Sequence, residues 1–121
     1  MRVLVADDHP ISRSGIEFLL SGEPDLDLVG SAADGDQVLE LTAALAPDVV
    51  ILDLILPKRP RLVVLEYLKR LHPCPRIVVI SGQATGLSFR QALDSGADAI
   101  VSKEDTSDEV LAARLGLEPR G

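Results

Sequence analysis

Short apolar runs alternate with amphipathic helical patterns along the chain, and this alternation restricts the fold more than any other feature. Four runs are apolar without interruption, which is typical of strands covered on both faces: VLVA at 3–6, VVIL at 49–52, IVVI at 77–80 and AIV at 99–101. A fifth segment, LDLV at 26–29, alternates only in part and indicates an edge strand. The sequence therefore predicts five strands.

Helical periodicity fills the intervals between these strands. Residues suited to a buried helix face recur at three- and four-residue spacings in four sets: Ile11, Gly15, Phe18 and Leu19; Val38, Leu41 and Leu45; Val64, Leu68 and Leu71; Phe89, Ala92, Leu93 and Gly96. A shorter fifth helix is predicted over roughly 107–115. Local signals agree with these helices: Pro10 suits a first helical position, Asp34 with Gln37 and Thr106 with Glu109 form capping boxes, and Gly96 suits a helix end.

A strand followed by a helix, repeated five times, determines the fold class. Helices between strands require right-handed crossovers and a mostly parallel sheet with helices on both faces. We predict one α/β domain over residues 1–121 with a doubly wound (βα)5 flavodoxin-like fold. Its five parallel strands should have the order 2-1-3-4-5, with a crevice where strands one and three meet. Residues 116–121 end this domain or begin a linker.

Composition excludes several classes of function. Twelve lysines and arginines against 19 acids give a net charge of -7, and aromatic residues form 2% of the chain, so direct nucleic-acid binding is not expected. Cys74 is the single cysteine, which excludes an intramolecular disulfide or a thiolate metal cluster. The chain shows neither a signal peptide nor an apolar run long enough to span a membrane. We therefore expect a cytoplasmic protein.

Polar and charged residues follow four of the five strands. Asp7 and Asp8 follow the first strand, Asp53 ends the third, Ser81 follows the fourth and Lys103 follows the fifth. The carboxyl ends of parallel strands share one edge of the sheet, where carboxylates would repel by about 4 kcal/mol per close pair at a dielectric near 20. Lys103 supplies one cation, and Mg²⁺, which binds through one or two carboxylates, would supply more. Singly, each residue suits a turn, a cap or a solvated pair; together they indicate a site.

Four motifs carry a resemblance to a known family: ADDHP at 6–10, VVILDLILP at 49–57, VISG at 79–82 and SKED at 102–105. In order and spacing they resemble the receiver domain of two-component response regulators, over essentially the whole chain. The DDHP opening and the acid after Lys103 are similar to the subgroup that carries a C-terminal helix-turn-helix. The resemblance thus implies a signalling protein connected with transcription regulation.

The resemblance implies a role for each matching residue. Asp53 would accept a phosphoryl group from a histidine kinase or a histidine phosphotransfer protein. Asp8, Asp53 and the backbone carbonyl of Ile55 would bind Mg²⁺, while Asp7 would act mainly through a bound water. Lys103 would pair with the phosphoryl oxygens, and Ser81 would donate to one of them. The domain would not be an enzyme, but a phosphoacceptor that catalyses its own phosphorylation and dephosphorylation.

The resemblance also implies an output. Phosphorylation would switch the surface of the fourth helix, the fifth strand and the fifth helix toward a C-terminal DNA-binding effector outside this chain or toward a phosphorylation-dependent homodimer. Ile100 stands where many receivers place an aromatic residue that turns inward, so that signal cannot operate in the usual way here. Ile55 and Gln83 flank the expected water path and are candidate modulators of the phosphoryl lifetime.

Two features depart from the pattern or add to it. The loop PKRPR at 57–61 replaces the glycines of similar receivers. We hypothesise that Lys58, Arg59 and Arg61 attract the phosphodonor or hold a phosphate; the alternative is a solvated loop that offsets nearby acids. For His9, a loop or capping role is favoured over a catalytic one.

Three other functions remain open at the level of sequence. A degenerate receiver would act as a phosphorylation-independent interaction module, although the intact acids disfavour it. A flavin- or nucleotide-binding protein of the same architecture would need a glycine- or hydroxyl-rich loop where ADDHPIS stands at 6–12. A haloacid-dehalogenase-like phosphohydrolase would need a second acid two residues after Asp53, where Ile55 stands.

Overall fold

The structure, a computed structural model, describes residues 1–53, 56–81, 90, 94 and 96–102. These residues include five strands: β1 (Arg2–Ala6), β2 (Asp27–Ala32), β3 (Val49–Asp53), β4 (Arg76–Ser81) and β5 (Ala99–Ser102). They also include three helices: α1 (Pro10–Ser21), α2 (Gly35–Leu45) and α3 (Arg61–Lys69). No helix in these ranges is long and apolar enough to cross a membrane.

The five strands form one parallel sheet with the order β2-β1-β3-β4-β5. This confirms the predicted doubly wound α/β fold and its strand order. β1 and β3 are adjacent, with Val3 opposite Val49 and Ala6 opposite Leu52. The residues that follow Ala6 and Leu52 are therefore brought to the same edge of the sheet.

The edge strand β2 is longer than its apolar pattern suggests. The predicted bounds, 26–29, are wrong, since the strand extends from Asp27 to Ala32. The register of its pairing with β1 shifts by one residue: Val3 is paired with Leu28, and Leu4 is paired with Gly30. Val29 is therefore the extra residue of a β-bulge. A Cβ on Gly30 would lie 3.0 Å from Leu45 Cδ1. Close packing against α2 thus explains the glycine at this position of the strand. A search for uninterrupted apolar runs stops before Gly30 and so misses the end of β2.

Alternate strand residues supply two separate cores. In β1, Val3 and Val5 belong to the core beneath α1, whereas Leu4 and Ala6 belong to the core beneath α2 and α3. Both faces of the strand are therefore covered, as the uninterrupted apolar runs predict. The helical residues that close these cores include Ile16 and Leu20 on one side, and Val38, Val64, Leu65 and Leu68 on the other.

Helix α1 buries a different face from the predicted one. Ile16 and Leu20 are 5% and 3% exposed, whereas Ile11 and Phe18 are 90% and 77% exposed. Leu19 packs partly against the core. It lies between two apolar stripes on nearly opposite sides of the helix, and periodicity alone cannot decide which of the two stripes is buried. The predicted face of Ile11, Gly15, Phe18 and Leu19 is therefore wrong in all but its last member.

The other local signals mostly agree with the structure. Pro10 begins α1. Asp34 caps α2 by accepting a hydrogen bond from the Gln37 backbone N–H at 2.8 Å, while Gln37 Oε1 accepts one from the backbone of Ala33 at 2.7 Å. Gly96 has a φ of 112°, a left-handed value suited to a helix end. Most of the predicted fourth helix, the whole predicted fifth helix and the Thr106–Glu109 box lie outside the described residues.

Candidate functional site

The carboxyl ends of β1 and β3 bring two carboxylates together. Ala6 and Leu52 are paired across the sheet, so Asp7 and Asp53 follow at the same edge. Both side chains are buried, with exposed fractions of 1% for Asp7 and 5% for Asp53, whereas Asp8 is 33% exposed. The backbone N–H of Asp7 also donates to the carbonyl of Ala32 in β2 at 3.0 Å. The adjacent aspartates therefore occupy different environments.

His9 occupies the N-cap position of α1, but its side chain caps no backbone amide of the helix. Its backbone N–H donates to Asp7 Oδ1 at 2.9 Å. Its Nδ1 atom lies 3.3 Å from Asp7 Oδ1, 3.0 Å from Asp8 Oδ1 and 3.8 Å from Asp53 Oδ2. Of the loop or capping role expected for His9, the structure shows the N-cap position but no cap by the side chain. The imidazole contacts the three carboxylates instead.

These four side chains can supply ligands to one cation. One donor atom from each of Asp7, Asp8, His9 and Asp53 lies within 4.8 Å of the other three. Asp8 Oδ1 is buried and accepts no hydrogen bond within the part of the chain that the structure describes. Carboxylate oxygens are the ligands that Mg²⁺ prefers. The donor set therefore fits a divalent cation at the edge shared by β1 and β3.

The remaining predicted site residues are only partly described. Ser81 is the last residue of β4, one position after Ile80, which is paired with Asp53, and its side chain lies outside the described residues. Ile55, Gln83 and Lys103 also lie outside them, although Lys103 follows directly on β5. Their roles stay predictions that follow from the resemblance.

The basic loop after β3 contacts the start of α2. Lys58 Nζ lies 3.4 Å from Asp34 Oδ2, and Arg59 Nε lies 2.6 Å from Asp36 Oδ1. The backbone N–H of Gly35 donates to the carbonyl of Pro57 at 3.0 Å. Lys58 and Arg59 are thus paired with nearby acids, which agrees with the alternative hypothesis of a solvated loop that offsets those acids. The side chain of Arg61 is outside the described part.

Two pKa values reflect these contacts. The hydrogen bond from the Gln37 backbone N–H, helped by the Lys58 ammonium, holds the pKa of the Asp34 carboxyl below its usual value. The hydrogen bond to Asp36 and the charge of that carboxylate raise the pKa of Arg59. Both shifts favour the charged forms, so the loop is held by paired charges at neutral pH.

Comparison with known proteins identifies relatives of this arrangement. The family profile described as response regulator receiver domain matches residues 3–114. The nitrate/nitrite response regulator protein NarL of Escherichia coli (strain K12) is 37% identical over 111 residues, 92% of this chain. That match covers 51% of the relative, so the chain spans about half the length of this curated protein.

Solved structures agree with the sequence relatives. The signal receiver domain of the response regulator NarL from Mycobacterium tuberculosis superposes with a TM-score of 0.82 at 35% identity, covering 95% of this chain and 96% of that one. RcsB from Salmonella enterica serovar Typhimurium, bound to promoter rprA in the presence of phosphomimetic BeF3-, superposes with a TM-score of 0.85 at 28% identity. The latter match covers 96% of this chain and 98% of the RcsB chain.

Proposed function

The chain belongs to the response regulator receiver domain family of two-component signalling, and we propose that it accepts a phosphoryl group on Asp53. The donor would be the phosphohistidine of a histidine kinase or of a histidine phosphotransfer protein. The observation that carries this proposal is the grouping of Asp53 with Asp7, Asp8 and His9 at the edge where β1 and β3 end. RcsB, solved with a phosphomimetic, is a relative that supports it.

The reaction requires little covalent chemistry from the protein beyond its nucleophile. A carboxylate oxygen of Asp53 forms a bond to phosphorus, and the bond between phosphorus and the donor imidazole nitrogen breaks. The imidazole leaves with the electron pair of that bond and takes up a proton. Such a displacement depends on alignment and on neutralisation of charge. Asp53 is held by β3, and the His9 backbone N–H fixes Asp7 beside it.

Magnesium is the cofactor that this proposal requires. Asp8 and Asp53, with the backbone carbonyl of Ile55, would hold the ion, and Asp7 would act mainly through a bound water. Once bound, Mg²⁺ would neutralise negative charge on the phosphoryl group and on the carboxylates. The buried Asp8 Oδ1, which accepts no hydrogen bond from the described residues, supports a cation there.

We also propose how the phosphorylated state is recognised within the domain. Lys103 would pair with the phosphoryl oxygens, and Ser81 would donate a hydrogen bond to one of them. The placement of Ser81 at the end of β4, beside the strand that carries Asp53, supports this role. Ile55 and Gln83 would set the lifetime of the acyl phosphate, since they flank the expected path of the attacking water.

The output surface would consist of the fourth predicted helix, β5 and the fifth predicted helix. Ile100 of β5 is 8% exposed and packs in the core beneath α2 and α3, so an inward rotation of this side chain is not available as a signal. The similarity to RcsB, which was solved on a promoter together with a phosphomimetic, supports a DNA-binding effector as the partner. A phosphorylation-dependent homodimer is the other partner that we propose.

Intact-mass measurement tests the proposal directly. We expect the protein to gain one phosphate when it is incubated with Mg²⁺ and acetyl phosphate, and the Asp53→Asn variant to gain none. Asp27→Asn, which changes an exposed aspartate at the other end of the sheet, is the matched control and should be phosphorylated like the parent. An unmodified parent would instead favour a phosphorylation-independent interaction module, and a phosphate on Asp53→Asn would show that another residue is the acceptor.

A further inference from the structure

We propose that Arg13 of α1 is a positioning residue for the acidic site, because its side chain fixes the peptide group between Asp7 and Asp8. This inference rests on the proposed function, since the affinity of that site for Mg²⁺ is the property that Arg13 would change. It goes beyond the proposed function by assigning a role to a residue outside the group of four side chains that can hold the ion.

The peptide groups on both sides of Asp7 are held by neighbouring elements. The backbone N–H of Asp7 donates to the carbonyl of Ala32 in β2 at 3.0 Å. The carbonyl of Asp7 accepts a hydrogen bond from Arg13 Nη1 at 3.3 Å. Because a peptide group is planar and rigid, this second hydrogen bond also fixes the direction of the Asp8 backbone N–H. Arg13 therefore sets the direction in which the chain enters Asp8.

Asp8 depends on this constraint more than the other two carboxylates of the site do. Asp7 and Asp53 are only 1% and 5% exposed, so packing holds both side chains in place. Asp8 is 33% exposed, so packing restricts its side chain less. Its orientation toward the other carboxylates therefore follows more closely from the orientation of its own backbone.

Arg13 is itself held in place by a contact that leads to the edge strand. Its Nε atom lies 3.8 Å from Glu17 Oε1, one turn further along α1, and both side chains are about one-third exposed or less. Glu17 Oε1 also accepts a hydrogen bond from Ser31 Oγ in β2 at 2.8 Å. Long side chains on a helix lean toward its N-terminus, which lets Arg13 reach back to Asp7. A series of polar contacts thus connects β2 with the acidic site through α1.

The charge of Arg13 offers a competing explanation for any effect on the site, and it predicts the opposite sign. Removing a positive charge beside carboxylates would by itself tighten Mg²⁺ binding, because the ion would meet less repulsion. Loss of positioning would weaken Mg²⁺ binding. Lysine separates the two effects further, since it keeps the charge but not the planar, forked donor group of arginine.

Titration calorimetry with Mg²⁺ on the whole chain tests the inference. We expect Arg13→Ala to weaken Mg²⁺ binding by about tenfold and Arg13→Lys by about threefold, because residues that orient metal ligands have effects of this order. Arg2→Ala is the matched control and should bind Mg²⁺ like the parent. Arg2 also donates from its guanidinium to a backbone carbonyl, that of Leu45, but it lies at the opposite end of β1.

NMR of the metal-free proteins gives a second readout that does not depend on bound Mg²⁺. The amide nitrogen of Asp8 belongs to the same peptide group as the Asp7 carbonyl, so its chemical shift should change in Arg13→Ala and stay unchanged in Arg2→Ala. Glu17→Gln should also weaken Mg²⁺ binding, but less than Arg13→Ala. It should have no further effect in the Arg13→Ala background, because Glu17 acts through Arg13.

The outcomes separate the inference from the proposed function. Unchanged or tighter Mg²⁺ binding in Arg13→Ala overturns the inference and leaves the proposed function standing. An equal loss of affinity in Arg2→Ala also overturns it, since the loss would then follow from a general effect on the fold. If Arg13→Ala does not fold, parental affinity in Arg13→Lys overturns the inference instead. If the parent binds no Mg²⁺, the inference and the proposed magnesium site fail together.

Discussion

Arg59 Nε lies 2.6 Å from Asp36 Oδ1, and this ion pair connects the loop after β3 to the first turn of α2. The neighbouring Lys58 approaches Asp34, the residue that caps the same helix. Two of the three basic residues that could attract a phosphodonor are therefore paired with carboxylates. The loop and the cap of α2 are thus connected through these charges.

Neutralising the loop should have little effect on phosphorylation by a small donor. We expect the double variant Lys58→Gln, Arg59→Gln to be phosphorylated by acetyl phosphate within about twofold of the parental rate, because paired and exposed charges contribute weakly to long-range attraction. Time courses of intact mass give the rate. Arg70→Gln, which removes an exposed charge just after α3, is the control, and a selective loss of about tenfold in the double variant would restore the capture hypothesis.

A methyl group at Gly35 should destabilise the protein. Its Cβ would overlap Arg59 Cβ and lie 2.8 Å from Arg59 Cγ, so we expect Gly35→Ala to lower the free energy of unfolding by about 1–3 kcal/mol. Gly15→Ala is the matched control: nothing lies within 4 Å of its added Cβ, and alanine in a helix interior should stabilise by about 0.5–1 kcal/mol. Urea unfolding measures both, and equal effects would show that the loop does not pack on α2 in this way.

Two substitutions on α1 report which face is buried. Leu20→Ala should lower the free energy of unfolding by about 2–5 kcal/mol, since Leu20 is 3% exposed. Phe18→Ala should change it by less than about 0.5 kcal/mol, since Phe18 is 77% exposed. If denaturant titrations showed a larger loss of stability for Phe18→Ala than for Leu20→Ala, the buried face of α1 would be the one that the sequence pattern predicted.

The cap of α2 should contribute a pH-dependent term to stability. The folded-state pKa of Asp34 lies below its usual value of 3.8, chiefly because of the hydrogen bond from the Gln37 backbone. A depressed carboxyl pKa gives stabilisation that is present above the unfolded-state value and is lost as the pH falls through the folded-state value. The parent should therefore be more stable than Asp34→Asn at neutral pH.

The difference in free energy of unfolding between the parent and Asp34→Asn should narrow once the pH falls below about 3.8. Asparagine keeps a cap acceptor but cannot titrate, so the comparison isolates the charge. Urea unfolding of both proteins between neutral and acidic pH measures this difference. A difference that widens as the pH falls would contradict a lowered pKa for Asp34.

Much of the fold could be predicted from sequence because burial of both sheet faces leaves a direct signature. VVIL at 49–52 is apolar at every position, and β3 extends from Val49 to Asp53. The meeting of Asp7 and Asp53 likewise follows from topology, since Asp7 follows β1, Asp53 ends β3, and these strands are adjacent in a parallel sheet. These inferences need only the order of elements, which local patterns supply.

Other features depend on contacts between distant parts of the chain. Ile11 and Ile16 are equally apolar, and the packing angle of α1 on the sheet decides which one is buried. The contacts of Arg59 and His9 depend on where Asp36 and Asp53 are placed in space, and no spacing rule in the sequence supplies that information. The sequence does show that Asp36 lies near the cap of α2, and this acidic residue is the one local indication of a partner for Arg59.

The alternation along β1 also determines which member of the aspartate pair is enclosed. Because successive residues point to opposite sides of a strand, a single inserted or deleted residue within β1 would turn every later side chain over. Leu4 and Val5 would then exchange cores, and the residue beside Asp53 would no longer be Asp7. A substitution in β1 changes one side chain, whereas a change in the length of β1 would disrupt both cores and the grouping of Asp7 with Asp53 together.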